Sequence, residues 1–357
     1  MRPSLNWLLV FVPVAIALEF LRPGDQTLIF VVSCLAIIPL AGVLGHATEH
    51  LASRTSESVG GLLNATFGNA AELIIGVMAI RRGAYDIAKA SITGSIIGNL
   101  LLVLGASVLA GGLRYKKQNF NALAARSRST SLILAAVALL VPAVFHGVAT
   151  KSGLTHEQGL TFGIATILVA IYILSLIFSL RTHREFVSGS PAGSVSAEGP
   201  GEHHWSVKKS LALLFGSTAL IAWVAEILVG SVEHAAKALG MSDIFVGVVV
   251  VATVGNAAEH SSAIVSAWKN RMDLALEISI GSSIQIALLV APLLVFASYL
   301  TGPQPMHLVF TAPEVMSVSV AVLVVSQIAS DGESNWLEGA SLLAVYLILA
   351  LLFYNLS

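Results

Sequence analysis

The chain has 357 residues, of which 56% are hydrophobic and 11% charged, and its mean hydropathy is +0.85. A soluble domain carries about 25% charged residues, so this composition puts most of the chain in a bilayer. A net charge of −1 without a basic stripe leaves nothing for a nucleic acid to bind. The one cysteine, Cys34, cannot form an internal disulfide and sits in an apolar run, where it reads as a small buried hydrophobe.

Apolar runs bounded by Gly, Pro and charge clusters give eleven candidate spans. They cover approximately 5–21, 26–52, 57–80, 86–111, 129–149, 158–181, 208–232, 242–268, 273–300, 307–329 and 335–355. The first run resembles a signal peptide in length. It lacks a small-x-small cleavage pattern before Arg22-Pro23-Gly24-Asp25, so it is read as a retained helix. The only long polar break, between Arg181 and Lys209, contains Ser-Gly-Ser-Pro-Ala-Gly-Ser and Glu-Gly-Pro-Gly-Glu-His-His, the composition of a flexible linker. The expected organisation is therefore a leading helix (1–25), a five-helix half (26–182), a linker (183–207) and a second five-helix half (208–357).

Orientation follows from Lys and Arg. With a cytoplasmic N-terminus the cytoplasmic side holds 13 of these residues and the opposite side 6, together all 19. That asymmetry predicts a cytoplasmic N-terminus and a cytoplasmic linker. Five spans per half is odd, so the halves insert upside down relative to each other. Inverted repeats are a signature of secondary transporters, with the substrate site near the midplane.

An internal repeat supports the odd number. Thr66-Phe67-Gly68-Asn69-Ala70-Ala71-Glu72 returns 187 residues later as Thr253-Val254-Gly255-Asn256-Ala257-Ala258-Glu259. At the same offset Asp86 matches Asp273, Gly94 matches Gly281 and Ser95 matches Ser282. Each copy places a glutamate deep in an apolar run. A carboxylate at membrane depth costs at least about 2.5 kcal/mol and is a functional-site candidate by default. Asn and Glu are three residues apart, which puts both on one helix face. The Gly-Asn pair is poor helix material, and inside a membrane such a weak point can expose backbone carbonyls to a cavity.

Brought together, the two copies offer the carboxylates of Glu72 and Glu259, the amide oxygens of Asn69 and Asn256, and the hydroxyls of Thr66 and Thr253. An all-oxygen cluster with two negative charges suits a hard divalent cation, Ca²⁺ before Mn²⁺ or Mg²⁺. Without a cation, the same carboxylates can hold protons, so cation and proton compete for one site. Matched polar residues follow each copy: Ser95 and Asn99 after Gly94, and Ser282, Ser283 and Gln285 after Gly281. They read either as interhelical glue or as lining for an ion path. Glu49-His50 and Glu233-His234 match at an offset of 184 near helix ends, where solvation accounts for them. Glu226, one heptad before Glu233, lies within an apolar run and is harder to assign to solvent.

With these motifs the sequence resembles the calcium/proton antiporters, the cation/proton exchanger branch of the calcium/cation antiporter superfamily. The stretch Gly255-Asn256-Ala257-Ala258-Glu259-His260, then Lys269-Asn270-Arg271-Met272-Asp273, then Gly281-Ser282-Ser283-Ile284-Gln285, is similar to the second family motif. Gly94-Ser95-Ile96-Ile97-Gly98-Asn99-Leu100 and Gly111-Gly112-Leu113-Arg114-Tyr115 resemble the first. The resemblance implies an all-α polytopic membrane protein with one leading helix and two inverted five-helix repeats. It implies that Glu72 and Glu259 bind cation and proton in turn, with Asn69 and Asn256 beside them. No cofactor is implied beyond the transported Ca²⁺ and H⁺, and the expected activity is transport rather than catalysis. Many family members carry an acidic segment between the halves, whereas this linker offers only Glu185, Glu198 and Glu202, so regulation through it is not implied.

Two rival readings come from the same residues. A sodium/calcium exchanger would also use paired glutamates but needs further oxygen sites for Na⁺. His46-Ala47-Thr48-Glu49-His50 fits the His-x-x-Glu-His pattern of zinc proteases. The repeat argues against that pattern, because His46 aligns with Gly230. The short N-terminus favours a prokaryotic plasma membrane over a vacuole.

Overall fold

The computed structural model describes residues 5–55, 57–152, 156–182 and 205–356; most of the linker (183–204) lies outside them. A 3-10 turn (Leu5–Val10) leads into α1 (Phe11–Leu21) and α2 (Gln26–Ala52). Then follow α3 (Glu57–Phe67), α4 (Ala70–Arg81), α5 (Tyr85–Arg114), α6 (Ala122–Ser152) and α7 (Glu157–Thr182). After the linker come α8 (Val207–Leu239), α9 (Asp243–Gly255), α10 (Ala257–Trp268), α11 (Met272–Thr301), α12 (Ala312–Ile328) and α13 (Trp336–Tyr354). Among the described residues seven helices are long and apolar enough to cross a membrane, and the bent pair α9–α10 makes an eighth. The first run and α12 are shorter apolar helices.

The runs around 57–80 and 242–268 are not single helices. Each breaks at the repeated Asn: Asn69 (φ −105°, ψ 26°) separates α3 from α4, and Asn256 (φ −92°, ψ 7°) separates α9 from α10, which meet at 64°. The weak Gly-Asn step yields where neighbouring helices and polar side chains can take up the freed backbone groups. A second irregularity also repeats. The helix α5 widens to a π turn over Gly98–Val103, and α11 does so over Ile286–Val290. Such π turns cluster at functional sites.

Ends are set by local chemistry. Ser206 accepts the Lys209 amide at the start of α8, and Gly240, at φ 67°, closes it in a left-handed conformation. Capping boxes Thr311/Glu314 and Asn335/Glu338 start α12 and α13. Lipid supplies little hydrophobic drive between helices, so small residues that allow close approach decide packing. A Cβ on Gly339 of α13 would come within 2.3 Å of the Leu109 amide of α5. The helices α2 and α8 make the most extensive pairing in the molecule, with α1 against both.

One feature departs from an all-α expectation. A two-residue antiparallel ribbon joins β1 (Gln118–Asn119), between α5 and α6, to β2 (Glu333–Ser334), between α12 and α13. The buried Gln118 amide donates to Ala267 O (2.8 Å) and Asn270 Oδ1 (3.0 Å), tying this ribbon to the turn after α10. An ion pair between Lys117 and Glu333 and a 2.7 Å bond from the Asn121 amide to Asp273 Oδ1 complete the clamp.

Candidate functional site

The two helix breaks converge. Because α4 and α10 each start just after an Asn, Glu72 and Glu259 fall in the first turn of a half-helix. There the unpaired amides and the positive end of the helix dipole favour negative charge. Glu72 is 6% exposed, Glu259 is half-buried, and the two carboxylates interact electrostatically. Oε2 of each glutamate is buried without a hydrogen-bond partner. Two such unpartnered carboxylate oxygens mark where a cation or a proton would sit. Glu72 also packs on the facing break, since a Cβ on Gly255 would be 3.4 Å from Glu72 Oε1.

The asparagines are buried and crosslinked between the halves. Asn69 Oδ1 accepts from Ser282 Oγ (3.0 Å), and Asn69 Nδ2 donates to Gln285 Oε1 (2.5 Å). In mirrored fashion Asn256 Nδ2 donates to Ser95 Oγ (3.0 Å), and its Oδ1 accepts from Asn99 Nδ2 (3.4 Å). Ser95 and Ser282 are repeat partners, so the Asn–Ser bond occurs twice across the seam. The Asn99 and Gln285 amides occupy non-equivalent positions, and this part of the lining is specific to each half. Ser282 also lies beside Glu259. Thus Glu72, Glu259, Asn69, Asn256, Ser95, Asn99, Ser282 and Gln285 form one connected polar cluster.

Other expected residues stand apart from it. The Thr66 and Thr253 hydroxyls donate back to Leu62 O (2.8 Å) and Val249 O (2.5 Å) of their own helices. Ser283 Oγ donates to Ser279 O (2.9 Å) within its own helix and lies against Ile96 O of α5, as glue does. Glu233 is exposed and bonded to Lys237 (2.6 Å), and Glu49 pairs with His46 (3.5 Å) at the end of α2. His50 instead stacks on Trp205 (centroids 4.6 Å apart), so the two imidazoles of the His-x-x-Glu-His pattern serve different partners. Glu226 faces Arg82 across the halves at 3.8 Å.

Two residues here carry no repeat signal. Glu314, 3% exposed, accepts from Thr311 and from Thr93 Oγ1 (3.3 Å) of α5, just before Gly94. Its Thr-x-x-Glu capping pattern was the available clue. Arg82, the C-cap residue directly after Arg81 at the basic end of α4, had none beyond its charge.

Comparison with known proteins supplies a family and a fold. The family described as "Sodium/calcium exchanger protein" matches residues 26–181 and 209–355. A Ca²⁺/H⁺ antiporter of Bacillus subtilis is 46% identical, covering 93% of this chain and 93% of that protein. One from Synechocystis is 44% identical over 97% of this chain and 96% of the relative. Among solved structures, native YfkE superposes with a TM-score of 0.84 at 40% identity, covering 99% of this chain and 100% of its own. The H⁺/Ca²⁺ exchanger CAX shares the fold, with a TM-score of 0.70 at 16% identity.

Proposed function

The chain belongs to the sodium/calcium exchanger protein family, and from that membership and the site we propose that it exchanges Ca²⁺ for H⁺ across a membrane. It is an integral membrane protein with antiporter relatives in bacteria. The observation that carries the reading is the pair of orphaned carboxylate oxygens on Glu72 and Glu259, set among neutral amide and hydroxyl oxygens. Two carboxylates neutralise one divalent cation, and two protons neutralise the same pair. Either occupant discharges the site, and both at once are repelled, which is the requirement for obligatory exchange.

The residues assign the parts. Glu72 and Glu259 carry the charge and the exchangeable protons. Asn69, Asn256 and Ser282 hold the half-helix starts and supply neutral oxygens, while Ser95, Asn99 and Gln285 orient the two amides. When bound, Ca²⁺ takes 6–8 oxygens, so water or backbone carbonyls freed at the breaks complete its shell. The eleven helical runs are read as eleven spans, one leading and five in each inverted half, with the N-terminus cytoplasmic as the Lys/Arg asymmetry requires. Alternating access then exposes the seam to one face at a time. Mn²⁺ is the next cation by hardness. Among the described residues the cluster holds no third carboxylate for additional Na⁺ sites, which favours protons over sodium as the counter-ion.

The test is ion flux in proteoliposomes. An imposed pH gradient alone should drive Ca²⁺ uptake, with Mn²⁺ weaker and Mg²⁺ weaker again. Uptake that requires Na⁺ and ignores the pH gradient would replace this reading with a sodium/calcium exchanger.

A further inference from the structure

The two halves share a sequence pattern but not an arrangement. A Cβ on Gly94 would sit 2.0 Å from the Val248 carbonyl oxygen, so α5 and α9 are in backbone contact there. Its repeat partner Gly281 has nothing within 4 Å of an added Cβ. Glu72 is buried where Glu259 is half-buried. Likewise α8 packs on α4 more extensively than α2 packs on α10, although the repeat makes these pairs equivalent. The seam is packed more tightly at the Gly94 end than at the Gly281 end. In the proposed orientation the tighter end is extracellular.

An ion pair bridges the two halves at that end. Arg82 Nη2 lies 3.8 Å from Glu226 Oε1, with side chains 43% and 48% exposed. The bridge joins the C-cap of α4, ten residues beyond Glu72, to α8 of the other half. Gly230, one turn after Glu226, gives the guanidinium room, because a Cβ there would be 2.7 Å from Arg82 Nη1. At the repeat offsets of 187 and 184, the counterparts of Arg82 and Glu226 are Lys269 and Gly42. Glycine has no carboxylate, so this bridge has no counterpart at the cytoplasmic end.

We propose that Arg82 and Glu226 form a latch that holds the extracellular end shut and biases the carrier toward its cytoplasm-open form. The proposal rests on the antiporter reading for its transport consequences. A contact made in one state only shifts the equilibrium by its own free energy. A half-exposed pair is worth up to about 1 kcal/mol, or roughly a five-fold shift between the two states.

The test compares wild type with Arg82→Gln, Glu226→Gln, Gly230→Ala and the swap Arg82→Glu/Glu226→Arg in oriented vesicles. The readout is the half-saturating Ca²⁺ concentration at each face. Since apparent affinity scales with the competent fraction, the ratio of extracellular to cytoplasmic values should fall about five-fold in the three single variants. The swap should restore it. Amide hydrogen exchange in detergent, which needs no transport, should quicken over Ala70–Arg81 in the single variants and recover in the swap. An unchanged ratio with unchanged exchange overturns the latch, as does a swap that restores neither. Glu226→Gln dead at both faces beside a wild-type Arg82→Gln would overturn it too, making Glu226 an ion ligand. A wild type without pH-driven Ca²⁺ flux would sink the antiporter reading, while the exchange data still decide the latch.

Discussion

At the scale of single residues, the site separates charge from shape. Glu72→Gln and Glu259→Gln keep the volume and hydrogen-bonding capacity of a protonated glutamate but can neither ionise nor exchange a proton. Each variant should fold, with an unchanged melting temperature or a higher one, since a neutral amide removes a buried ionisable group at the same volume. Each should lose pH-driven Ca²⁺ flux, at least about 100-fold. Near-normal flux in either would show that carboxylate to be dispensable. The asparagines differ because they carry no proton. Asn69→Ala and Asn256→Ala remove a neutral oxygen and a bridge between halves, and neutral contacts are about half as strong as charge-assisted ones. They should weaken Ca²⁺ affinity while the residual flux stays coupled to the pH gradient. A Ca²⁺ titration of flux ranks them, with Glu49→Gln and Glu233→Gln nearest wild type because both carboxylates are solvated at helix ends. The assignment does not survive silent Asn variants beside dead Glu49 and Glu233 variants.

At the scale of elements, the two Gly-Ser helices make a paired prediction. Gly94→Ala puts a Cβ against the Val248 carbonyl, a backbone atom that cannot step aside, so folding should suffer. Overpacking of this kind costs about 1–3 kcal/mol, readable as a lowered melting temperature. Gly281→Ala meets open space in this arrangement and should fold like wild type. If the halves exchange arrangements during transport, Gly281 must take the crowded position in turn, and the variant should be stable but slow. A Gly281→Ala variant with wild-type turnover would show that α11 never closes on α3. These elements also mark the limit of what the sequence discloses. The duplicated Gly-Asn motif was legible as a weak step, but the breaks themselves were not, since 57–80 and 242–268 read as single runs and the same dipeptide at Gly98-Asn99 stays within a continuous helix. The matched offsets marked Ser95 and Ser282 as repeat partners, but their bonds to Asn256 and Asn69 were not legible. The ribbon between Gln118 and Ser334, the Arg82–Glu226 bridge and the Glu314–Thr93 contact join positions more than 140 residues apart outside the repeat, so no periodicity announces them. The inequality of the two halves was invisible for a stricter reason. A repeat in sequence specifies two equivalent structures, and only the fold reveals which half has taken which form.

At the scale of the whole molecule, the proposed exchange has cation and proton meet only through the Glu72–Glu259 pair, which fixes the sign of the pH dependence. Where the pair holds protons before Ca²⁺ arrives, binding must release them, as metal binding to protonated ligands does. Lowering the pH therefore raises the Ca²⁺ concentration needed for half-saturation, by up to about ten-fold per pH unit for each proton displaced. Raising the pH on the Ca²⁺ side lowers it until the empty pair is fully ionised, after which affinity becomes flat. The slope of log half-saturation against pH thus counts protons, and with two carboxylates it should not exceed two. The same number of protons must be taken up on the opposite face, where Ca²⁺ leaves, so acidifying that receiving face should speed forward exchange, in which an incoming proton displaces the cation, and slow reverse exchange, in which Ca²⁺ must bind there against protons. Measured in vesicles with the two faces buffered independently, forward flux should rise and reverse flux fall as the receiving side is acidified. A half-saturation constant flat in pH throughout the working range, with flux still driven by the gradient, would mean that protons travel by groups other than this pair. In Glu259→Gln any remaining Ca²⁺ binding should show at most half the wild-type slope, since one of the two exchangeable protons has been removed from the site.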